Sequence, residues 1–104
     1  MGLFPRKMNF EEGIEEWKDT PGAVLLDVRT AMEYKEGHIP GSVNVSSDRI
    51  QKVEEKIPDK DTPVYVYCLS GARARGAVSA MKKMGYSNAV NIGGIALYNG
   101  ELEK

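Results

Sequence analysis

One cysteine, Cys68, and one histidine, His38, are all that the 104 residues hold of the two commonest soft-metal and nucleophilic side chains. A lone cysteine excludes an internal disulfide, and one histidine beside it leaves no framework for a structural metal. A free thiol fits a reducing compartment, so the expected location is the cytoplasm. Long apolar runs are also missing: none approaches the ~20 residues that cross a bilayer. The opening stretch "MGLFPRKMNF" has no apolar signal-peptide core, and its myristoylation-like start carries Arg6 where Ser or Thr is needed. Charge of one sign is lacking too. With a net charge of −1 the chain has no global field for nucleic acid or an anionic membrane. Neither is therefore an expected partner, although Arg73, Arg75, Lys82 and Lys83 are candidates for a local basic patch.

What remains is the composition of a globular protein, 41% hydrophobic and 28% charged. The length predicts a single domain over 1–104, expected as a monomer, with roughly two thirds of its unfolded surface buried. Strand and helix signals alternate along it. "NFEEGIEEWK" predicts a helix capped by Asn9 and Glu12, with Phe10, Ile14 and Trp17 on one face. "VLLDV" at 24–28 reads as a strand buried on both sides. "TAMEYKEG" predicts a short helix from the Thr30 cap, through Glu33, to Gly37. A short strand at 42–45 follows. "SDRIQKVEEKI" predicts a third helix, with Ile50, Val53 and Ile57 inward and Pro58 as its stop. "PVYVY" is the second buried strand, "ARARGAVSAMKKMG" a helix closed by Gly85, and "AVNI" at 89–92 a last strand. "GGIALYNGELEK" predicts a turn and a final helical segment, and a weak first strand is expected near Lys7 to Asn9. Strands alternating with helices imply an α/β fold with a central parallel sheet of about four to five strands and helices on both faces. The ligand site of such a sheet lies beyond the carboxyl ends of its strands.

Cys68 stands at such an end, in "VYVYCLSGARARGAV" (64–78), where strand gives way to helix. A cysteine after a buried strand often serves as a small inert hydrophobe. Here the setting points the other way. A helix starting near Ala72 or Arg73 aims unpaired N–H groups and the positive end of its dipole back into the loop. Gly71 lets successive N–H groups turn inward as an anion-binding nest. Such a ring would hold an anionic sulfur, a bound oxyanion, or a sulfur carried on sulfur.

Three stretches then resemble the rhodanese family of single-domain sulfurtransferases. "LLDVRTAMEYKEGHIPGSVNV" (25–45) is similar to the family's Asp-Val-Arg, Glu-aromatic and Gly-His-Ile-Pro-Gly pattern. "YCLSGARARGA" is similar to its Cys-x-x-Gly-x-Arg active loop, and "MGYSNAVNIGGI" to its Gly-Tyr and Gly-Gly turn. The resemblance spans about Met8 to Tyr98. It implies a small rhodanese-like three-layer sandwich and a sulfurtransferase that moves sulfane sulfur from a donor such as thiosulfate to cyanide or a thiol through a Cys68 persulfide. The amides of Leu69, Ser70, Gly71, Ala72 and Arg73 would cradle that persulfide, the Ser70 hydroxyl would add to the cradle, and the Arg73 guanidinium would bind an anionic donor such as thiosulfate. The partners implied are a small-molecule donor and acceptor or a protein acceptor, and no cofactor is required. The sequence departs from the family at Tyr98, where a tryptophan is frequent, and at Ala74, where serine is common.

Asp27, Arg29 and His38 have two readings each. Asp27 and Arg29 could contact substrate, but buried charges are usually paired, and the favoured expectation is that they support the site structurally. His38 is a candidate general base that reads better as a tie within the "GHIPG" turn. Two other functions stay open. A phosphatase or arsenate reductase also sets a cysteine before an anion-binding loop, but its arginine falls six positions on, where this chain has Ala74. A binding or sulfur-relay module would keep the fold without turning over small donors.

Overall fold

The computed structural model describes residues 9–104. Helix α1 (Phe10–Asp19) leads into strand β1 (Val24–Asp27), then α2 (Ala31–Glu36), β2 (Val43–Asn44), a 3-10 turn (Ser47–Lys52) and α3 (Val53–Lys56). Strand β3 (Val64–Cys68), α4 (Ala72–Lys83), β4 (Ala89–Gly94) and a 3-10 turn (Ile95–Leu97) complete the order. The four strands form one parallel sheet in the order β2-β1-β3-β4.

The pleat of β3 divides the core in two. Val64, Val66 and Cys68 point to one side, packing with Leu26, Val53, Ile57, Ala74, Ala77 and Met81 from β1, α3 and α4 and the residue after α3. Tyr65 and Tyr67 point to the other, packing with Phe10 and Ile14 of α1, Leu25 of β1 and Ile92 of β4. A strand with period-two side chains and all five residues buried needs apolar cover on both faces, and helices on both faces supply it. This is the expected α/β sandwich, with helices either side of a parallel sheet.

Both predicted capping boxes form. Asn9 and Glu12 close the first turn of α1, and Thr30 and Glu33 close that of α2. Three expectations change. The stretch at 47–57 is a 3-10 turn followed by a single α turn, because Arg49 leaves helical geometry at φ −129°, ψ 35°. The Ser47 N–H is drawn to the Val28 carbonyl (3.0 Å), so the segment begins tied to the end of β1. Its apolar stripe survives: Val53 and Ile57 are buried and Ile50 packs against them. After the short 3-10 turn the last residues form no helix; His38 and Glu103 exchange backbone hydrogen bonds of 2.9 and 2.8 Å as an antiparallel bridge. The strand expected at 42–45 keeps Val43–Asn44 as its ladder residues. The weak strand near Lys7 falls on Lys7 and Met8, outside the described residues, and on Asn9, which caps α1.

Tyr86, just past α4, is fully buried and its hydroxyl donates to the Ile57 carbonyl at 2.5 Å, closing the end of α3. Tyr86→Phe leaves that carbonyl without this donor. The expected loss is about 1–3 kcal/mol of unfolding free energy, read as a lower urea midpoint at unchanged slope.

Candidate active site

Cys68 is the last residue of β3, and its side chain is 1% exposed. Three residues later the chain must reverse into α4. Gly71 makes that turn at φ 102°, ψ −13°, a left-handed conformation that a side chain would strain. The reversal brings backbone donors onto the sulfur. The Gly71 N–H donates to Sγ at 3.0 Å and the Ala74 N–H at 3.4 Å. Twelve residues of α4 extend behind them, so the positive end of its dipole faces the same atom. Leu69 and Ser70 lie outward at the surface, as does Ala72.

The loop is held from behind by β4. A register shift between Val66 and Tyr67 leaves Ile92 without a ladder partner and sets Gly93 and Gly94 opposite Tyr67 and Cys68. Gly94 passes so near the loop that a Cβ there would sit 2.1 Å from the Leu69 carbonyl oxygen and 2.6 Å from the Ser70 Cα. Asn91 adds a polar pin. Its Nδ2 donates to the Gly71 carbonyl at 3.1 Å while its Oδ1 accepts from the Gly93 N–H at 2.8 Å. The Ala96 N–H donates to the Leu69 carbonyl at 3.1 Å.

Arg73 does not present a free guanidinium. Its two terminal nitrogens donate to the two oxygens of Glu33 at 2.7 and 3.0 Å, a bidentate pair between α4 and α2. The donor-anion contact expected of Arg73 is thus occupied by a carboxylate of the same chain. The hydrogen bond from Arg73 first, and the Thr30 cap second, hold the Glu33 carboxyl down to about 2. Two shallow clefts flank this pair. One, of about 300 Å³, is lined by Glu33, Gly37, Leu69, Ala96 and Leu102. The other, of about 570 Å³, is lined by Thr30, Asn44, Ser46, Arg49, Lys52 and Arg73.

Asp27 and Arg29 lie at the carboxyl end of β1 and are buried together. Arg29 donates from Nε to both oxygens of Asp27 at 3.0 and 3.1 Å and from a terminal nitrogen at 2.7 Å. That nitrogen also donates to the Gly37 carbonyl at 2.8 Å. Burial works against the Arg29 charge, but hydrogen bonding and attraction to Asp27 outweigh it, leaving its pKa raised. Asn44 completes the knot, donating to the carbonyls of Asp27 and Arg29 at 2.9 Å each. Tyr67, opposite Asp27, has its ionisation pushed up by burial first and by Asp27 second. His38 stacks on Tyr34 with centroids 3.7 Å apart, its Nδ1 is 2.7 Å from the Tyr34 carbonyl, and its Nε2 is 3.4 Å from Glu103. None of these bonds reaches the cysteine loop.

Sequence reasoning missed Ala74, whose contribution is a backbone N–H and leaves no trace in residue type. It missed the Glu33–Arg73 pair, which joins residues 40 apart. Asn91 was hidden by its place within a strand, although the Gly-Gly after it signalled a close approach. Tyr98, where a tryptophan is frequent in the family, meets Phe10 edge-on at 5.6 Å and packs against the α1-side core.

The match to known proteins follows the same geometry. A family model described as "Rhodanese-like domain" matches residues 10–101, and the chain belongs to that family. "Thiosulfate sulfurtransferase PspE" of Escherichia coli (strain K12) is 31% identical over 71 residues, 67% of this chain and 68% of that protein. The YrkF protein of Bacillus subtilis (strain 168), named as a candidate sulfur carrier, is 35% identical over 68 residues, 65% of this chain and 36% of that protein. A solved "rhodanese with anions from E. coli" superposes with a TM-score of 0.72 at 28% identity, covering 79% of this chain and 98% of that one. Several relatives are longer proteins, of which the chain spans between 23% and 36%. The kind of protein supported is a sulfurtransferase. Among the described residues no helix is long and apolar enough to cross a membrane.

Two outcomes are expected. Gly94→Ala pushes the Leu69–Ser70 backbone off its seat, at a cost of about 1–3 kcal/mol; urea denaturation measures it, and a changed rate of Cys68 alkylation by iodoacetamide reports the displaced loop. Glu33 titrates lower folded than unfolded, so its contribution is present above its ordinary value of 4.5 and lost as pH falls toward about 2. Both partners are about a third exposed, which limits the gain to under ~1 kcal/mol. The stability gap between wild type and Glu33→Gln should stay constant from neutrality to about pH 4.5 and close below it.

Proposed function

We propose that this protein moves sulfane sulfur through a persulfide on Cys68. The observation that carries the reading is the convergence of the Gly71 and Ala74 N–H groups on Sγ at 3.0 and 3.4 Å. An inert core cysteine needs no such donors, whereas an anionic sulfur is stabilised by them. The relatives named for thiosulfate sulfurtransfer and for sulfur carriage support the same chemistry.

In the first step the Cys68 thiolate attacks the outer sulfur of a donor such as thiosulfate. A sulfur–sulfur bond forms to Cys68, the donor's own sulfur–sulfur bond breaks, and sulfite leaves with the electron pair. In the second step a thiophilic acceptor, cyanide or a thiolate, attacks the outer sulfur of the persulfide, and the Cys68 thiolate departs. This is two-step covalent catalysis in which charge moves between sulfurs. The amides from Leu69 to Arg73, with Ala74, are the proposed cradle of the outer sulfur, and the Ser70 hydroxyl lies within the same loop. Asp27, Arg29 and His38 are assigned to supporting the walls. No metal or organic cofactor enters the scheme, and a thiol kept for this role suits the cytoplasm.

A second reading, relay to a protein partner, is favoured by one observation: the 1% exposure of Cys68, which restricts approach to a fitted acceptor. With no second cysteine, the persulfide must be resolved from outside the chain.

Protein mixed with thiosulfate and cyanide should form thiocyanate, and intact mass should rise by one sulfur after thiosulfate alone. Cys68→Ser should abolish both, a loss of at least ~10³-fold for removal of a covalent nucleophile. Sulfur loading without thiocyanate favours the relay; the absence of both overturns the proposal.

A further inference from the structure

We propose that Glu33 is the selectivity residue of the cysteine loop: its carboxylate fills the Arg73 fork and so disfavours small divalent donor anions relative to sulfane sulfur carried on an organic or protein thiol. The inference rests on the sulfurtransferase reading for its meaning, but its test does not require turnover.

The geometry supplies three parts. First, the Arg73 fork is the charged group of the loop best placed to take a substrate oxyanion. It stands in the first turn of α4, two residues past Gly71, whose N–H meets Sγ at 3.0 Å. Second, the fork is already matched. Glu33 meets it with two oxygens at 2.7 and 3.0 Å, the planar bidentate arrangement that a sulfonate or sulfate would need for itself. A dianion arriving at Arg73 must displace that carboxylate and then lie beside it, like charge against like charge. Third, the carboxylate is held by more than Arg73. Its Oε1 also accepts from the Thr30 N–H at 2.9 Å and the Thr30 hydroxyl at 3.1 Å, and α2 is pinned by its capping box. Glu33 therefore does not swing away without opening the start of its own helix.

An organic persulfide asks less of the fork. It brings its sulfur without three sulfonate oxygens, and its carbon chain meets the apolar part of the neighbouring cleft, where Leu69 and Leu102 are 46% and 44% exposed. Discrimination here comes from a built-in repulsive element as much as from an attractive one.

Glu33→Gln separates charge from structure. Glutamine serves at the third position of a capping box as glutamate does, so α2 keeps its cap while the fork loses its anion. Glu33→Asp keeps the charge and shortens the reach. The probe is sulfate, an unreactive divalent anion, titrated at neutral pH into wild type and both variants and followed by NMR through the Arg73 side-chain N–H signals. The expected result is that Glu33→Gln tightens sulfate binding by about threefold or more, while Glu33→Asp stays near wild type. The KM for thiosulfate should fall in parallel in Glu33→Gln. Equal sulfate affinity in all three proteins overturns the proposal, as does weaker binding in a Glu33→Gln protein whose NMR spectrum shows it folded under the conditions of the titration. Tighter sulfate binding in a protein that forms no persulfide overturns the sulfurtransferase reading and leaves the Glu33 assignment standing.

Discussion

Two backbones cross at the cysteine loop with no side chain between them, and the site depends on that contact. Gly94 lies against Leu69 and Ser70 closer than any Cβ allows. Because β4 can approach so far, Asn91 reaches the Gly71 carbonyl and Ala96 reaches the Leu69 carbonyl. Two of the loop's outward carbonyls are thereby satisfied from behind, and its N–H groups are free to turn toward the sulfur. The bulge at Ile92 belongs to the same arrangement. An unbroken ladder would carry the β4 register one residue out of place, and the glycines would no longer stand opposite Tyr67 and Cys68. The face that turns its N–H groups onto Sγ is a consequence of how the loop's other face is packed.

Charge is partitioned by the same economy. Two arginines and two carboxylates gather near the ends of β1 and β3, and each arginine is matched to one acid. Arg29 is buried with Asp27 and donates from the same terminal nitrogen to the Gly37 carbonyl, so it braces the turn beyond α2. Arg73 is matched with Glu33, which α2 presents through its own cap. Helix α2 is thus tied at its start to α4 and at its end to β1, although it buries no residue fully. A helix of six residues is not stable through propensity; polar ties at both ends hold it beside the loop.

The sequence was informative where a physical signal is local. The periods of the apolar residues, the two capping boxes and the strand-to-helix passage at Cys68 needed only neighbours within a turn or two, and they sufficed for a parallel α/β sandwich with the loop at a strand's carboxyl end. The arrangement at 47–57 departs from the expected single helix because helical periodicity shows which residues face inward and not where the backbone kinks; here it leaves helical geometry at Arg49. The final segment was read in part: a helical turn forms at Ile95–Leu97, but the chain end then pairs with His38, 65 residues earlier, which no local signal shows. The Glu33–Arg73 pair was illegible for the same reason. Each residue alone had a sufficient local explanation, a cap for one and a substrate contact for the other, and only the fold shows that they satisfy each other.

The spacing of donors around Cys68 bears on which anion the loop suits. A tetrahedral oxyanion bound above a cysteine needs a wide ring of N–H groups and an arginine that reaches over it. In this loop two N–H groups already close on Sγ itself, and the sixth position after the cysteine is Ala74, whose side chain is buried in the core. The arginine one residue earlier is drawn sideways to α2. A sulfur bonded to sulfur extends the chain by a single atom about 2 Å away, and it carries its charge on that atom. The persulfide proposed for Cys68 would fit such a narrow ring, its charge met by amides and a helix end. A phosphate would ask for the width and the free guanidinium that this loop has given up.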